Sequence, residues 1–258
     1  MTSLPIIMRP SRTEPHHEQG GVHHHRQVDI IHATGIDGAR MATGTVVVID
    51  VLRAFTVSAY AFAGGARECR LVRTVAEGRA LAASTPNSVL CAEEDGLPVP
   101  GIEISNSPTK IAGIDLAGKV LVQRSSAGTQ AAAEAETRGG EDMFAASLVV
   151  ARATVQACLL RQPKTLTLLA SADHPEDHAC AQYMAQLIHQ EEPDIERLLK
   201  PLKQSDRYQK LMSGTWPGFP ITDLEMSLQP DRFDFAMHAT KQHGHLTLTK
   251  VKPNAALR

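Results

Sequence analysis

A three-layer α/β/α fold around a mixed, largely parallel sheet is what this 258-residue sequence predicts, on two observations. Apolar β-branched runs such as Val46 to Ile49 show no polar alternation, the pattern of a strand covered on both faces. From residue 45 onward such runs alternate with helical stretches, the order that builds parallel sheets from βα units.

The elements follow in turn. Strand 45–50 leads into a small-residue helix over about 55–65, stopped by Gly64 and Gly65. Residues 74–84 (TVAEGRALAAS) read as a second helix, and 88–94 (SVLCAEE) as a strand ending on carboxylates. A loop with Pro98, Pro100 and Pro108 precedes a strand in 118–123 (GKVLVQ), and 128–136 (GTQAAAEAE) opens a third helix. Residues 142–147 and 164–171 are further strands, each followed by a helix, at about 148–161 and 174–191. Residues 193–212 form one amphipathic helical segment. Residues 233–239 and 245–251 pair as antiparallel strands across the turn-rich TKQHG. The organisation is a flexible His-rich extension over 1–27, carrying His16, His17, His23, His24 and His25, and a single domain over 28–258.

Charge narrows the partners. Lys and Arg total 26 against 28 Asp and Glu, so no global field favours nucleic acid or anionic lipid, and a small molecule is the expected ligand. Four well-separated cysteines without a CxxC pair suggest reduced thiols in a cytoplasm rather than a zinc or disulfide framework. The first residues lack a secretory pattern and no run reaches a membrane helix's length, so a soluble protein is expected, with a homodimer left open.

Four polar clusters fall at strand ends, where ligands bind in open α/β sheets. Asp50 and Arg53 close the first strand: the carboxylate suits a hard cation and the guanidinium a phosphate or sulfonate, while an ion pair capping the next helix explains them equally well. Glu93, Glu94 and Asp95 repel one another unless solvated or sharing a cation. Arg124, Ser125, Ser126, Gly128 and Thr129 lie between a strand and a helix, as an anion cradle or as plain N-caps. Asp173 and Glu176 fit a D-x-x-E capping box, leaving Asp177 over.

In order, these stretches resemble the 2-phosphosulfolactate phosphatase family, magnesium-dependent acid phosphatases of coenzyme M biosynthesis. VVVIDVLRAFT (46–56) resembles its first signature, and GIEISNSP (101–108) its G-F-D-x-x-N-S-P segment, singling out Asn106, Ser107 and Pro108. RSSAGT (124–129) matches its T-x-x-x-G-T loop in Gly128 and Thr129, HPEDHACA (174–181) an E-D-x-x-C-A helix start, and DRFDFAM (231–237) a closing D-x-F-D. Where many members carry G-E-R this chain has Ala92, Glu93 and Glu94, and where many carry T-T-N-G-T it has Ser125, Ser126, Ala127, Gly128 and Thr129.

The resemblance implies hydrolysis of a small anionic phosphate monoester, 2-phosphosulfolactate or a relative. It implies Asp50, Arg53 and Glu93 as catalytic residues and Mg2+ on Asp50 and Glu93, with Glu176 and Asp177 as further ligands. Arg53 would face the phosphoryl group. Arg124, Ser125, Ser126, Gly128 and Thr129, with Asn106 and Ser107, would bind the rest of the substrate, Arg124 offsetting the charge of Glu94. A haloacid-dehalogenase reading fails because its D-x-D would need an acid at Leu52. Two alternatives stand beside the phosphatase. One is an isochorismatase-like hydrolase with Cys158 or Cys180 as nucleophile and Lys110 or Lys119 as partner, and the other a non-catalytic anion binder.

Overall fold

The computed structural model describes residues 28–137 and 142–253; the His-rich extension expected over 1–27 lies outside the described residues. Ten strands form one sheet: β1 (Asp29–Thr34), β2 (Thr45–Ile49), β3 (Glu68–Leu71), β4 (Ser88–Glu94), β5 (Leu97–Pro98), β6 (Val120–Arg124), β7 (Asp142–Ala146), β8 (Thr165–Ala170), β9 (Ala236–Gln242) and β10 (His245–Val251). The helices are α1 (Gly35–Met41), α2 (Ala54–Ala63), α3 (Val75–Ser84), α4 (Pro108–Ala112), α5 (Gly128–Glu136), α6 (Ala151–Leu159), α7 (Pro175–Ile188), α8 (Ile195–Leu198), α9 (Lys200–Lys203), α10 (Asp206–Met212) and α11 (Ile221–Ser227).

β2 shows why the sheet is covered on both sides. Successive side chains of a strand point to opposite faces, and all five residues of β2 are buried. Val46 and Val48 enter one core with Phe55 and Phe62 of α2 and the alanines of α5. Val47 and Ile49 enter another with Cys158 of α6 and Cys180 and Met184 of α7. The three layers expected from uninterrupted apolar strands are present.

The sheet order is β1-β8-β2-β7-β9-β10-β3-β6-β4-β5. β1, β8, β2 and β7 are mutually parallel, and so are β3, β6 and β4. Between the two blocks lie three antiparallel pairings, β7 with β9, β9 with β10, and β10 with β3. Three reversals make the blocks run in opposite senses. Even so, the segments following β2 and β6 touch, because Asp50 meets Gly128. The site lies where the carboxyl ends of two opposed parallel blocks converge, rather than along one edge of a single parallel run.

Several elements differ from the sequence reading. β1 and α1 were not expected, and much of β1 is exposed on the sheet's edge beside β8, so its short pattern carries no strong apolar signal. β3 alternates buried and half-buried residues over only four positions. The single helix expected over 193–212 is three short ones, because Pro201 lacks a backbone N–H and must sit in a first turn, while Ser205 caps a new start by accepting from the Tyr208 amide. The capping box expected of Asp173 and Glu176 does not form: the N-cap of α7 is His174, and Glu176 turns inward to an arginine.

Candidate active site

Asp50 leaves β2 buried, its amide bonded to the Ala146 carbonyl at 3.1 Å. Its Oδ1 accepts from the Ala54 amide at the start of α2, at 3.0 Å, and the Gly128 amide at the start of α5 donates as well. Both donors belong to helix N-termini, which favour negative charge. Burial nevertheless pushes the Asp50 carboxyl up to about 6, with the charges of Glu93 and Glu176 adding to the effect against the two amides.

The other acids come from α7. Asp177 accepts from the Val51 amide at 2.8 Å and from the Ser171 hydroxyl at 3.3 Å, so it braces the turn after β2. Its carboxyl is also driven upward, first by burial and then by Asp50 and Glu176. Glu176 is fully buried. Its Oε1 takes both Nε and Nη2 of Arg207, at 2.9 and 2.8 Å, while Oε2 has no partner.

Glu94 at the end of β4 is exposed, and Glu93, next to last in the strand, is buried. Its carboxylate binds the Ser126 amide at 2.5 Å, the Ser126 hydroxyl at 3.0 Å and the Gly96 amide at 2.7 Å. Glu93 thereby ties the β4–β5 turn to the loop after β6. In that loop Ser125 and Thr129 bond to each other, amide to hydroxyl in both directions at 2.9 Å. Arg124 gives Nη1 to the Glu93 carbonyl and to the Ser126 hydroxyl, and Nε to the Arg73 carbonyl. The hydroxyls expected to form an anion cradle are thus engaged in holding the loop.

Arg53 is 5% exposed. Its Nη1 donates to Asp223 Oδ2 at 2.8 Å and to the Gly218 carbonyl at 2.6 Å, and its guanidinium lies 4.6 Å from the centre of the Phe219 ring. Its Nε and Nη2 have no hydrogen-bond partner among the described residues. The other oxygen of Asp223 receives the Ser107 hydroxyl at 2.7 Å and the Thr109 amide at 3.0 Å. Ser107 therefore belongs to the support of Arg53. Asn106, held at a left-handed φ of 57°, accepts from Gln123 Nε2 at 2.9 Å, and Gln123 also holds the Ala54 carbonyl at 2.7 Å.

The structure thus gathers Asp50, Glu93, Glu176, Asp177 and Gly128, while Arg53, at the N-cap of α2, directs its guanidinium to Asp223 and Gly218. Asp223, Arg207 and Gln123, which hydrogen-bond Arg53, Glu176 and Asn106, are contacts that the sequence did not signal. Asp223 meets partners 114 to 170 residues away, and no local spacing signals that. Beside α7 opens a cleft of about 430 Å³ walled by His174, Arg207, Lys210 and Trp216.

Among the described residues no three His, Cys, Asp or Glu side chains form a ready-made metal cluster. The donor set still fits a hard cation. Its oxygens are buried, mutually repelling and short of hydrogen bonds at Glu176 Oε2, and Mg2+ typically takes only one or two carboxylates with water and substrate oxygens. A thiol nucleophile does not fit. Cys158 and Cys180 are fully buried in the apolar core under β2, where burial raises both thiols, so neither presents a thiolate to a ligand.

The family model for 2-phosphosulpholactate phosphatase matches residues 31–241. A protein of Bacillus subtilis (strain 168) named "Probable 2-phosphosulfolactate phosphatase" is 33% identical over 210 residues, covering 80% of this chain and 91% of its own length. Proteins of the same name are 36% identical in Deinococcus radiodurans, over 43% of this chain and 46% of the relative, and 32% identical in Carboxydothermus hydrogenoformans, over 55% and 60%.

Proposed function

The chain belongs to the 2-phosphosulpholactate phosphatase family, and on that premise we propose that it is a magnesium-dependent phosphatase converting 2-phosphosulfolactate to sulfolactate and phosphate. The observation that carries the reading is the buried, mutually repelling carboxylate set of Asp50, Asp177 and Glu176, with Glu176 Oε2 left without a partner. Asp50 and Asp177 are the first candidates to hold the cation, with Glu176 through its unpartnered oxygen. Glu93 contributes charge to the set and fixes its flanking loops. A magnesium ion held there would neutralise charge on the phosphoryl oxygens and help activate water.

The chain's own groups do the rest. Arg53 is fixed by Asp223 before any ligand arrives, so its free Nε and Nη2 can meet two phosphoryl oxygens without reorganising. Water adds its oxygen to phosphorus, the ester oxygen departs as the alcohol of sulfolactate, and one of water's protons ends on that alcohol. The Ala54 and Gly128 amides keep Asp50 oriented throughout.

A role in coenzyme M formation and a cytoplasmic location belong to the same proposal, the latter supported by four free, buried cysteines. The test is phosphate release from 2-phosphosulfolactate with magnesium present. Steady turnover supports the phosphatase. Thermal stabilisation by the compound with no phosphate released would identify a non-catalytic binder instead.

A further inference from the structure

The phosphate ester of sulfolactate carries a carboxylate and a sulfonate besides its phosphoryl group, so a second anion-binding place is needed. Arg124 is poorly placed to supply it, since its Nε and Nη1 are bonded to carbonyls of Arg73 and Glu93 and to the Ser126 hydroxyl. The cleft of about 430 Å³ beside α7 is better equipped, and its volume falls in the range of small-ligand pockets.

Two hydrogen-bonded links join this cleft to the catalytic acids. Arg207 lines it and grips Glu176 through Nε and Nη2. Trp216, which also lines it, donates its indole N–H to the Gly96 carbonyl at 3.1 Å, while the Gly96 amide binds Glu93. Lys210 lines the cleft as well. Its ammonium sits 4.4 Å from the centre of the Trp216 ring and has no carboxylate within 4.0 Å among the described residues. Asp173, the acid on the rim, is bonded to His178 at 2.8 Å. A cation held on an aromatic face, without a counter-ion, and facing a small cleft is a ready partner for a sulfonate or carboxylate.

We propose that this cleft is the subsite for the substrate's remote anionic groups, with Lys210 as the principal contact and Arg207 bridging it to Glu176. The proposal rests on the phosphatase reading for its ligand, but its test does not depend on turnover. Sulfolactate lacks the phosphoryl group and reports the remote subsite alone. Its binding would be measured by calorimetry with the wild-type chain, Lys210→Ala and Arg124→Ala, alongside phosphate release from 2-phosphosulfolactate. A charged hydrogen bond contributes roughly 1.5 to 3 kcal/mol, so Lys210→Ala should weaken sulfolactate binding about tenfold or more, and Arg124→Ala by less than about threefold.

Unchanged affinity in a folded Lys210→Ala, or a loss confined to Arg124→Ala, overturns the subsite. So does a wild-type chain that turns over 2-phosphosulfolactate yet shows no sulfolactate binding at millimolar concentrations. Sulfolactate binding that depends on Lys210 in a chain releasing no phosphate would keep the subsite and remove the phosphatase instead.

Discussion

Gly128 and Asp50 approach so closely that a methyl group on Gly128 would lie 2.6 Å from Asp50 Oδ2 and 3.0 Å from the Cβ of Ala54. Neither neighbour is the free end of a flexible chain. The contact brings together the segments that follow β2 and β6, one from each strand block, and it leaves no room for a side chain at residue 128. Gly128→Ala is expected to cost about 1 to 3 kcal/mol through overpacking and to displace Asp50. Thermal melting and turnover measured together should both fall; a variant with wild-type values in both would show that the approach is not needed.

Asp223 is the buried counter-ion of Arg53, at 0% exposure, and also collects Ser107 and Thr109. Removing one partner of a buried pair leaves an uncompensated charge, so Asp223→Ala should destabilise by about 3 to 5 kcal/mol. Chemical denaturation reads this directly. Asp223→Asn, which keeps an acceptor for Ser107, should recover part of the stability but not the orientation of Arg53, and so should remain impaired in turnover.

The raised carboxyl of Asp50 predicts a pH dependence in protein treated with a chelator. Its folded value of about 6 exceeds the ordinary aspartate value of 3.8, so between these limits the native state holds more protons than the unfolded chain. Stability should therefore fall as pH rises through that window and stay lowered above it. A shift of this size corresponds to at most about 3 kcal/mol. Asp50→Asn removes the titration while keeping an acceptor for Ala54, so the variant should be the more stable one near pH 7.5 and equal to the parent near pH 4. Parallel stability curves for the two proteins would refute the burial argument.

The fold class was legible because β2, β6 and β7 carry consecutive buried apolar residues without alternation, the pattern of a doubly covered sheet. β1 and β3 were not, being short and half exposed or alternating. Asp50 and Gly128 could be singled out because each stands at a strand–helix junction. The hydrogen bonds of Glu93 and Ser125 were not legible, since they are fixed by which loops meet in space. Asp223 and Arg207 were invisible for the same reason: their partners are brought by tertiary contacts across long separations.

The central claim is that the carboxylate set around Asp50 holds the cation that hydrolysis requires. Its most direct test is the rate of phosphate release from 2-phosphosulfolactate as magnesium is titrated into chelator-treated wild type and Asp50→Asn. The account predicts a saturable rise from near zero in the wild type and a flat, near-background rate in the variant. Full activity of the wild type in chelator, or a magnesium-dependent rise of equal height in Asp50→Asn, would contradict it.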